Sequence, residues 1–483
     1  AMGNAIGNLR EYWESIENSS STIGGAIWDW VDQAIYDPQE MKQGIYRLHT
    51  GYDYPGPHQG NFCSNGILLP TREESPKLKE VKAAHQFVKF RYIGTNEERT
   101  EAWVQLKNTY DFLSLEDFYL RWQLLKDGYP LSADSLMLDA IQPDDSTLVA
   151  LALHDIDLAQ AERDGTEILL NLEVRQKDAT RWAGAGHSVA LQQYELTARG
   201  PLPALAGKRK PKLNIAETES QLIVRNENIE AIFDRKTGRI TSLTMDGQSF
   251  IAPGQGFIYD NHRYIENDKF EKVENGLNAE GTCLIEKEGS NVVVTTTREG
   301  SLCSTHILYT IYPNGTMDVQ ATFLPQKSNL RRAGLVCGID SMLSQVSYYA
   351  HGPWENLADR LDGCPVGRYT TTVDDMLWPY VKPQSTGSRE GLRELTLTNR
   401  EGRGIRIETQ GQVSFSALRY TDEDLMKAPH TWELKARPYI VLHLDAYLMG
   451  TGNASCGADC GPLSTYQVPQ KEQSYTLRIS PVR

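Results

Sequence analysis

The chain has 483 residues, is 40% hydrophobic and 23% charged, and carries 39 Gly and 22 Pro, an ordinary balance for a globular protein with room for about three domains. A net charge of −14 argues against nucleic acid and anionic membrane surfaces as partners, because neither offers an attractive field. No apolar run is long enough to cross a bilayer, and the N-terminus lacks the basic start and apolar core of a signal peptide. The odd count and wide spacing of Cys63, Cys283, Cys303, Cys337, Cys364, Cys456 and Cys460 do not form a disulfide framework, although Cys456 and Cys460 are close enough in sequence to bridge. No Cys-x-x-Cys or His-Glu-x-x-His occurs, so no structural or catalytic zinc site is expected.

In chain order, Asn8 to Asn18 reads as a helix, with Leu9, Tyr12, Trp13 and Ile16 on one face. Gly24-Gly-Ala-Ile-Trp28-Asp-Trp30-Val-Asp-Gln33 reads as a short buried strand, and period-two spacing puts Trp28 and Trp30 on one side. That spacing fits aromatics delivered to a pocket and fits plain core equally well. About Tyr36 to Pro70 is a long loop rich in Gly, Pro, Tyr and His, with too many aromatics to be disordered. A second helix is predicted from about Pro76 to Phe90, with Leu78, Val81, His85 and Val88 or Phe87 facing inward. Helix, strand, loop and helix make about a quarter of a (β/α)8 barrel, which cannot close alone and leaves edges and an apolar face exposed. Residues 1–90 are therefore expected to be disordered, self-associated or docked to a missing N-terminal partner.

From 91 to 200 the pattern turns to strands: Ala102–Asn108, Phe118–Leu124 before an Asp127-Gly128 turn, and Ile168–Val174. About 110 residues of this kind suit an immunoglobulin-like β-sandwich. Residues 201–214, with Lys208-Arg209-Lys210, read as a Pro- and Gly-rich linker. Residues 215–483 are again all strand, including a hairpin from Thr305 to Thr322 about Pro313-Asn314-Gly315, and call for one large two-sheet sandwich. The fold class is mainly β behind a barrel remnant.

Paired carboxyls can work together as acid/base and nucleophile when they sit about 5 Å apart. Asp29, Asp32, Glu266, Asp268 and Glu355 are the loose candidates. Each has a plainer reading: Asp29 and Asp32 orient neighbours or pair with Arg, Glu266 and Asp268 sit in a polar loop, and Glu355 pairs with Arg360.

These stretches resemble the end of the catalytic barrel in bacterial lac-type β-galactosidases, glycoside hydrolase family 2. That family carries G-G-F-V-W-D-W-V-D-Q and then P-N-D-x-x-F-x-x-N-G. Here they stand as Gly24 to Gln33 and as Pro57-His58-Gln-Gly-Asn-Phe62-Cys-Ser-Asn65-Gly66. Ala1-Met2-Gly3-Asn4 is similar to the tail of the family's nucleophile block, E-Y-x-H-A-M-G-N. Thr180 to His187 with Gln192-Gln193 resembles the family's second sandwich domain. The landmarks of its large terminal domain recur as Arg263-Tyr-Ile-Glu266-Asn267-Asp268, Gly352-Pro-Trp-Glu355-Asn356 with Asp359-Arg360, and Tyr380-Val-Lys-Pro383 with Arg393-Glu-Leu395.

The resemblance implies domains at 1–90 (end of the TIM barrel), 91–200 (immunoglobulin-like sandwich) and 215–483 (large small-chain-type β-sandwich), joined by the 201–214 linker. It implies hydrolysis of terminal β-galactosides by a longer, retaining, two-glutamate enzyme. This chain would lack both glutamates and be inactive alone, and the missing N-terminal half and a galactoside would be its partners. Homo-oligomerisation is expected of the parent, as is a soluble location in bacterial cytoplasm or periplasm. Trp28 would line the galactose pocket, and Asn65 with the Phe62 carbonyl would bind sodium in an incomplete site. His58 stands where the family has an asparagine near a second magnesium, and imidazole is a poor magnesium ligand. Cys456 stands where the family's aglycone-stacking tryptophan would be. The alternatives are a β-glucuronidase or β-mannosidase of the same superfamily, or a non-catalytic carbohydrate-binding or interaction fragment.

Overall fold

The computed structural model describes residues 4–205, 211–266, 273–274, 280–326, 330–452 and 461–483. Asp268, the Lys208–Lys210 stretch, Cys456 and Cys460 lie outside the described residues. The chain forms two compact units. One is Lys79–Leu202 with Asp362–Arg368, and the other is Ala1–Leu78 with Pro203–Leu361 and Tyr369–Arg483.

The smaller unit is a two-sheet antiparallel sandwich. Val88–Thr95, Glu101–Asn108 and Ser146–Ala152 form one sheet, and Tyr129–Met137, Phe118–Lys126, Ile168–Gln176 and Ser188–Thr197 form the other. Alternate residues point inward: Val104 and Leu106 from the first sheet, Leu120, Trp122, Leu170 and Leu172 from the second, in one core. The Asp127-Gly128 turn has both residues at positive φ, 48° and 79°, as a two-residue hairpin needs. Asp362–Arg368 join this unit although the pattern assigns them to the terminal sandwich. The Gln193 amide accepts from Val366 N and donates to Val366 O, both at 2.8 Å, and the Arg368 guanidinium lies 4.2 Å over the Tyr129 ring.

In the larger unit, a long antiparallel sheet runs Thr282–Glu288, Asn291–Arg298, Cys303–Ile311, Met317–Pro325, Gln473–Val482, Gly404–Gln410, Glu394–Thr398 and Gln345–His351. A four-stranded sheet of Ile258–Asp260, Arg332–Asp340, Tyr439–Leu448 and Ser414–Leu418 shares its core. A third sheet is a meander of five strands from Asn214–Glu217 to Gln248–Ser249, which the two-sheet expectation does not contain. Its inward residues Phe233, Ile240 and Met245 pack into the same core as Tyr309, Phe323 and Phe415. The predicted hairpin closes with Ile311 opposite Met317, and Gly315 takes φ 91° in the turn.

The barrel-like segment departs furthest from its expectations. Leu9–Glu17 is helical, but none of its residues is buried, and Tyr12 is half exposed. Gly24 to Gln33 is not a strand. It is an extended stretch with a single parallel bridge, Val31 to Leu68, and Trp28 and Trp30 are 71% and 50% exposed. A parallel strand is stable only when flanked and covered on both faces, and here only one neighbour flanks it. The second helix is shorter than predicted, Lys77–Ala84, because Val88 onward pairs with Glu101–Asn108 instead. Residues 4–78 are nonetheless ordered against the terminal sandwich of their own unit, not disordered. Gly7 N donates to Gly452 O at 2.8 Å and Asn8 N to Asp359 O at 3.2 Å.

Candidate functional site

The two stretches singled out by the sequence are laced together by backbone. Asp29 N donates to Asn65 O at 2.7 Å, Gln33 N to Cys63 O at 2.7 Å, Leu68 N to Trp30 O at 2.9 Å and Asp32 N to Leu68 O at 2.9 Å. The Asp32 carboxylate accepts from Gly66 N at 2.7 Å, while buried Lys77 donates to Gly66 O. Gly66 is required by space, because a Cβ there would meet Asp32 N at 2.0 Å and Val31 C at 2.3 Å. Burial raises the Asp32 carboxyl against the opposing pull of Lys77 and the Gly66 N–H. Burial likewise lowers the Lys77 ammonium to about 8 against the pull of Asp32. The strut Asp32–Gly66–Lys77 thus holds Trp28 and Asn65 on adjacent, cross-bonded segments.

Asn4 anchors the start of the described chain in a buried polar clamp. Its backbone N donates to Gln384 Oε1 at 2.9 Å and its Nδ2 to Ser385 O at 2.9 Å. Its Oδ1 accepts from Arg360 at 2.9 Å and from the Tyr380 hydroxyl at 2.6 Å. Glu355 organises the far side, accepting from Arg360 at 2.7 Å, Gly387 N at 2.8 Å and the Thr386 hydroxyl, and sharing the single Tyr380 hydroxyl proton with Asn4 at 2.9 Å. Burial alone would raise the Glu355 carboxyl, but Arg360 and these donors outweigh it and hold it below its usual range. Gly7 is pinned nearby, since a Cβ there would lie 1.7 Å from Asp359 Oδ2.

Two further ties hold the loop between these segments. Asn61 Nδ2 donates to Glu266 Oε1 at 3.3 Å, and Tyr264 OH donates to the other Glu266 oxygen at 2.5 Å. Asp53 meets His430 Nε2 at 2.9 Å.

The described candidate carboxylates are therefore all engaged in holding structure. Asp29 accepts from Trp30 N and from the Gln33 amide, both at 2.5 Å. Asp32 holds Gly66, Glu266 holds Asn61, and Glu355 holds the Asn4 clamp. Glu355 and Arg360 do form the expected ion pair, but fully buried and as part of a wider network. Among the expected sugar-side residues, Trp28 is exposed and Asn65 is 2% exposed and cross-bonded to the Trp28 segment. Phe62 N donates to Gln59 O at 3.0 Å within a short 3-10 turn. His58 is exposed on the same loop, and its Nδ1 accepts the Gly60 N–H at 3.1 Å. Sequence patterns do not reveal Asn4, Gln384 and Tyr380 as one clamp, because its members are some 376–380 residues apart. A cavity of about 180 Å³ lies behind Glu355, walled by Tyr348, Trp354, Trp378 and Arg389, and its lining includes none of Trp28, His58 and Asn65.

Among the described residues no helix is long and apolar enough to cross a membrane. Three family models match the chain in order: "Glycosyl hydrolases family 2, TIM barrel domain" at residues 1–90, "Beta-galactosidase, domain 4" at 104–197 and "Beta galactosidase small chain" at 225–479. A beta-galactosidase of Priestia megaterium is 29% identical over 467 residues, covering 94% of this chain and 44% of that protein. Beta-galactosidase 2 of Enterobacter cloacae is 27% identical over 506 residues, covering 100% of this chain and 47% of that protein. The chain spans about half the length of the curated relatives it matches. With the small-chain model matching more than half of its length and the other two preceding it in order, the chain belongs to the lac-type β-galactosidase family, glycoside hydrolase family 2.

Proposed function

We propose that this chain is the carboxy-terminal portion of a retaining β-galactosidase, and that it supplies the sugar-facing wall of the pocket rather than the acid and the nucleophile. The observation that carries the reading is the backbone lacing of the Trp28 segment to the Asn65 loop. It brings the segment carrying the exposed Trp28 beside a polar loop, and an indole with a polar rim is the pairing that grips a sugar's C–H face and hydroxyls. The engagement of every described candidate carboxylate in structural bonds supports assigning the acid and nucleophile elsewhere. The exposed apolar side chains Ile23, Trp28, Trp30, Ile35 and Phe62 support a cover contributed by a further portion of the enzyme. The names and lengths of the matched relatives support the same reading.

In this proposal the Phe62 carbonyl and the Asn65 side chain are oxygen donors of the kind sodium takes, with the remaining ligands outside this chain. His58 offers an imidazole, a poor magnesium ligand, so it is not assigned to magnesium. Cys456 stands at the position of the family's aglycone-stacking tryptophan, and a thiol offers no such stacking surface.

The experiment is a chromogenic β-galactoside assay on the chain alone, on the chain with the upstream half supplied in trans, and on Trp28→Ala in that mixture. The chain alone should be inactive and the mixture active. Trp28→Ala should lower kcat/KM by about 2–4 kcal/mol of transition-state binding. Because Trp28 is 71% exposed, its removal should leave the chain's own unfolding free energy within about 0.5 kcal/mol of wild type. Asn65→Ala should blunt any preference for sodium over potassium. Turnover by the chain alone, or kcat/KM unchanged by Trp28→Ala, overturns the proposal.

A further inference from the structure

Glu40, His49, Asp53, His430 and Glu433 form a run in which carboxylates and imidazoles alternate. His49 Nε2 lies 2.9 Å from Glu40 Oε2, and His49 Nδ1 lies 3.5 Å from Asp53 Oδ2. On the other side, His430 Nε2 lies 2.9 Å from Asp53 and His430 Nδ1 lies 2.6 Å from Glu433 Oε2. One ligand atom from each of His49, Asp53 and His430 falls within 4.8 Å of the others.

We propose that His49, Asp53 and His430 form a binding site for a zinc-type divalent cation, which clasps the loop at residues 49–53 to the terminal sandwich. Three observations carry it. The first is the donor set. Two imidazoles and a carboxylate suit zinc and its neighbours, and three protein ligands leave one position for water. The second is spacing. Zinc–nitrogen bonds of about 2.0–2.1 Å imply ligand atoms about 3.3 Å apart in a tetrahedron, close to the 3.5 and 2.9 Å found about Asp53. The third is the outer ring. Each histidine has its other nitrogen held by a carboxylate, Glu40 or Glu433, the arrangement that sets the tautomer and aims the free lone pair at a metal.

The surroundings fit a fixed site. Trp432 stacks on His430 with centroids 4.5 Å apart and planes 11° apart, and the Arg47 guanidinium covers Trp432 at 4.6 Å. Arg47 also comes within 3.8 Å of Glu40, so Glu40 is shared between His49 and Arg47. Asp53 is steadied by accepting from Thr50 N at 2.7 Å. The His430 and His49 side chains are 9% and 12% exposed and Asp53 19%, which leaves a path for an ion and a water. No short metal motif signals the site, because His430 lies 377 residues from Asp53 in the chain.

The test is a titration of the chelator-stripped 483-residue chain with zinc by calorimetry, and with cobalt(II) followed by visible absorption. One equivalent of each should bind, and cobalt should show the intense d–d bands of a four-coordinate nitrogen–oxygen site. Asp53→Asn and His430→Gln should remove the bands and the stoichiometric phase. Glu433→Gln should retain the site with affinity lowered on the order of 10–100-fold, the usual effect of losing an outer-ring carboxylate. A wild-type chain that binds no stoichiometric zinc and shows no such bands overturns the proposal, without reference to any variant's folding. So does binding that survives in Asp53→Asn and His430→Gln. The readout is metal binding alone, so its outcome is independent of the glycosidase reading.

Discussion

Asn4→Ala tests whether the polar clamp is what orders the barrel-like segment. The substitution removes three hydrogen bonds. Arg360 and Tyr380 lose Oδ1 as acceptor, and Ser385 O loses the Nδ2 donor. It spares the backbone bond to Gln384 Oε1 and the longer Arg360 contact with Asn4 O at 3.3 Å. Tyr380 still has Glu355 at 2.9 Å, so its hydroxyl is not orphaned. The loss is then one charge-assisted bond of about 1.5–3 kcal/mol and roughly one neutral bond of about 0.5–1.5 kcal/mol, so about 2–4.5 kcal/mol in total. If residues 4–17 open from the sandwich as a unit, their opening population should rise by about 30-fold to 10³-fold. Hydrogen exchange on a peptide covering that stretch reads it directly, since Gly7 N–H and Asn8 N–H bond across to Gly452 and Asp359. A peptide covering Cys303–Ile311, remote from the clamp, should be unchanged. Exchange at residues 4–17 that is unaltered by Asn4→Ala would refute the reasoning and leave the clamp as a passive contact.

Two further outcomes follow from buried groups. Gly66→Ala drives a Cβ into the Val31–Asp32 backbone, so it should lower stability by about 1–3 kcal/mol and raise the mobility of Trp28 and Trp30, read by urea unfolding and tryptophan fluorescence. Glu390 is buried, and its Oε1 has no hydrogen-bond partner among the described residues. Burial first, then Asp445 and Asp359, push its carboxyl to about 8. A carboxyl raised on folding is neutral in both states below its unfolded value, so it costs nothing there. Its cost grows as pH rises from about 4.5 through about 8, because only the unfolded chain ionises freely. Glu390→Gln should therefore match wild type in unfolding free energy at pH 4 and exceed it by several kcal/mol at pH 8.5. Asp445, raised to about 7, supplies a residual slope of the same sign in the variant. Equal stabilities at both pH values would place a free, ionised Glu390 in the fold.

The sequence by itself determined the local elements whose signals are short-ranged. Strand alternation from Ala102 to Asn108 and from Phe118 to Leu124, the Asp127-Gly128 turn and the Pro313-Asn314-Gly315 hairpin are legible because side-chain period and turn chemistry act within a few residues. The family motifs are legible for a related reason. Gly66 must be glycine because backbone passes where its side chain would be, and such a constraint stays readable as a letter at a position. The tertiary structure alone decided the rest. The Gly24–Gln33 stretch carries a buried strand's pattern but is not one here, because a strand is completed by neighbours and only one flanks it. Glu355, a plausible catalytic carboxylate by residue type, becomes the hub of a clamp on Asn4 only once Arg360, Tyr380 and Thr386 surround it. His430 and Asp53 are unremarkable letters far apart in the chain, and they become a site only when the fold sets them 2.9 Å apart. The physical reason is common to all three cases: pattern reports what a residue does to its sequence neighbours, whereas charge pairing, ligation and burial depend on distances that only folding sets.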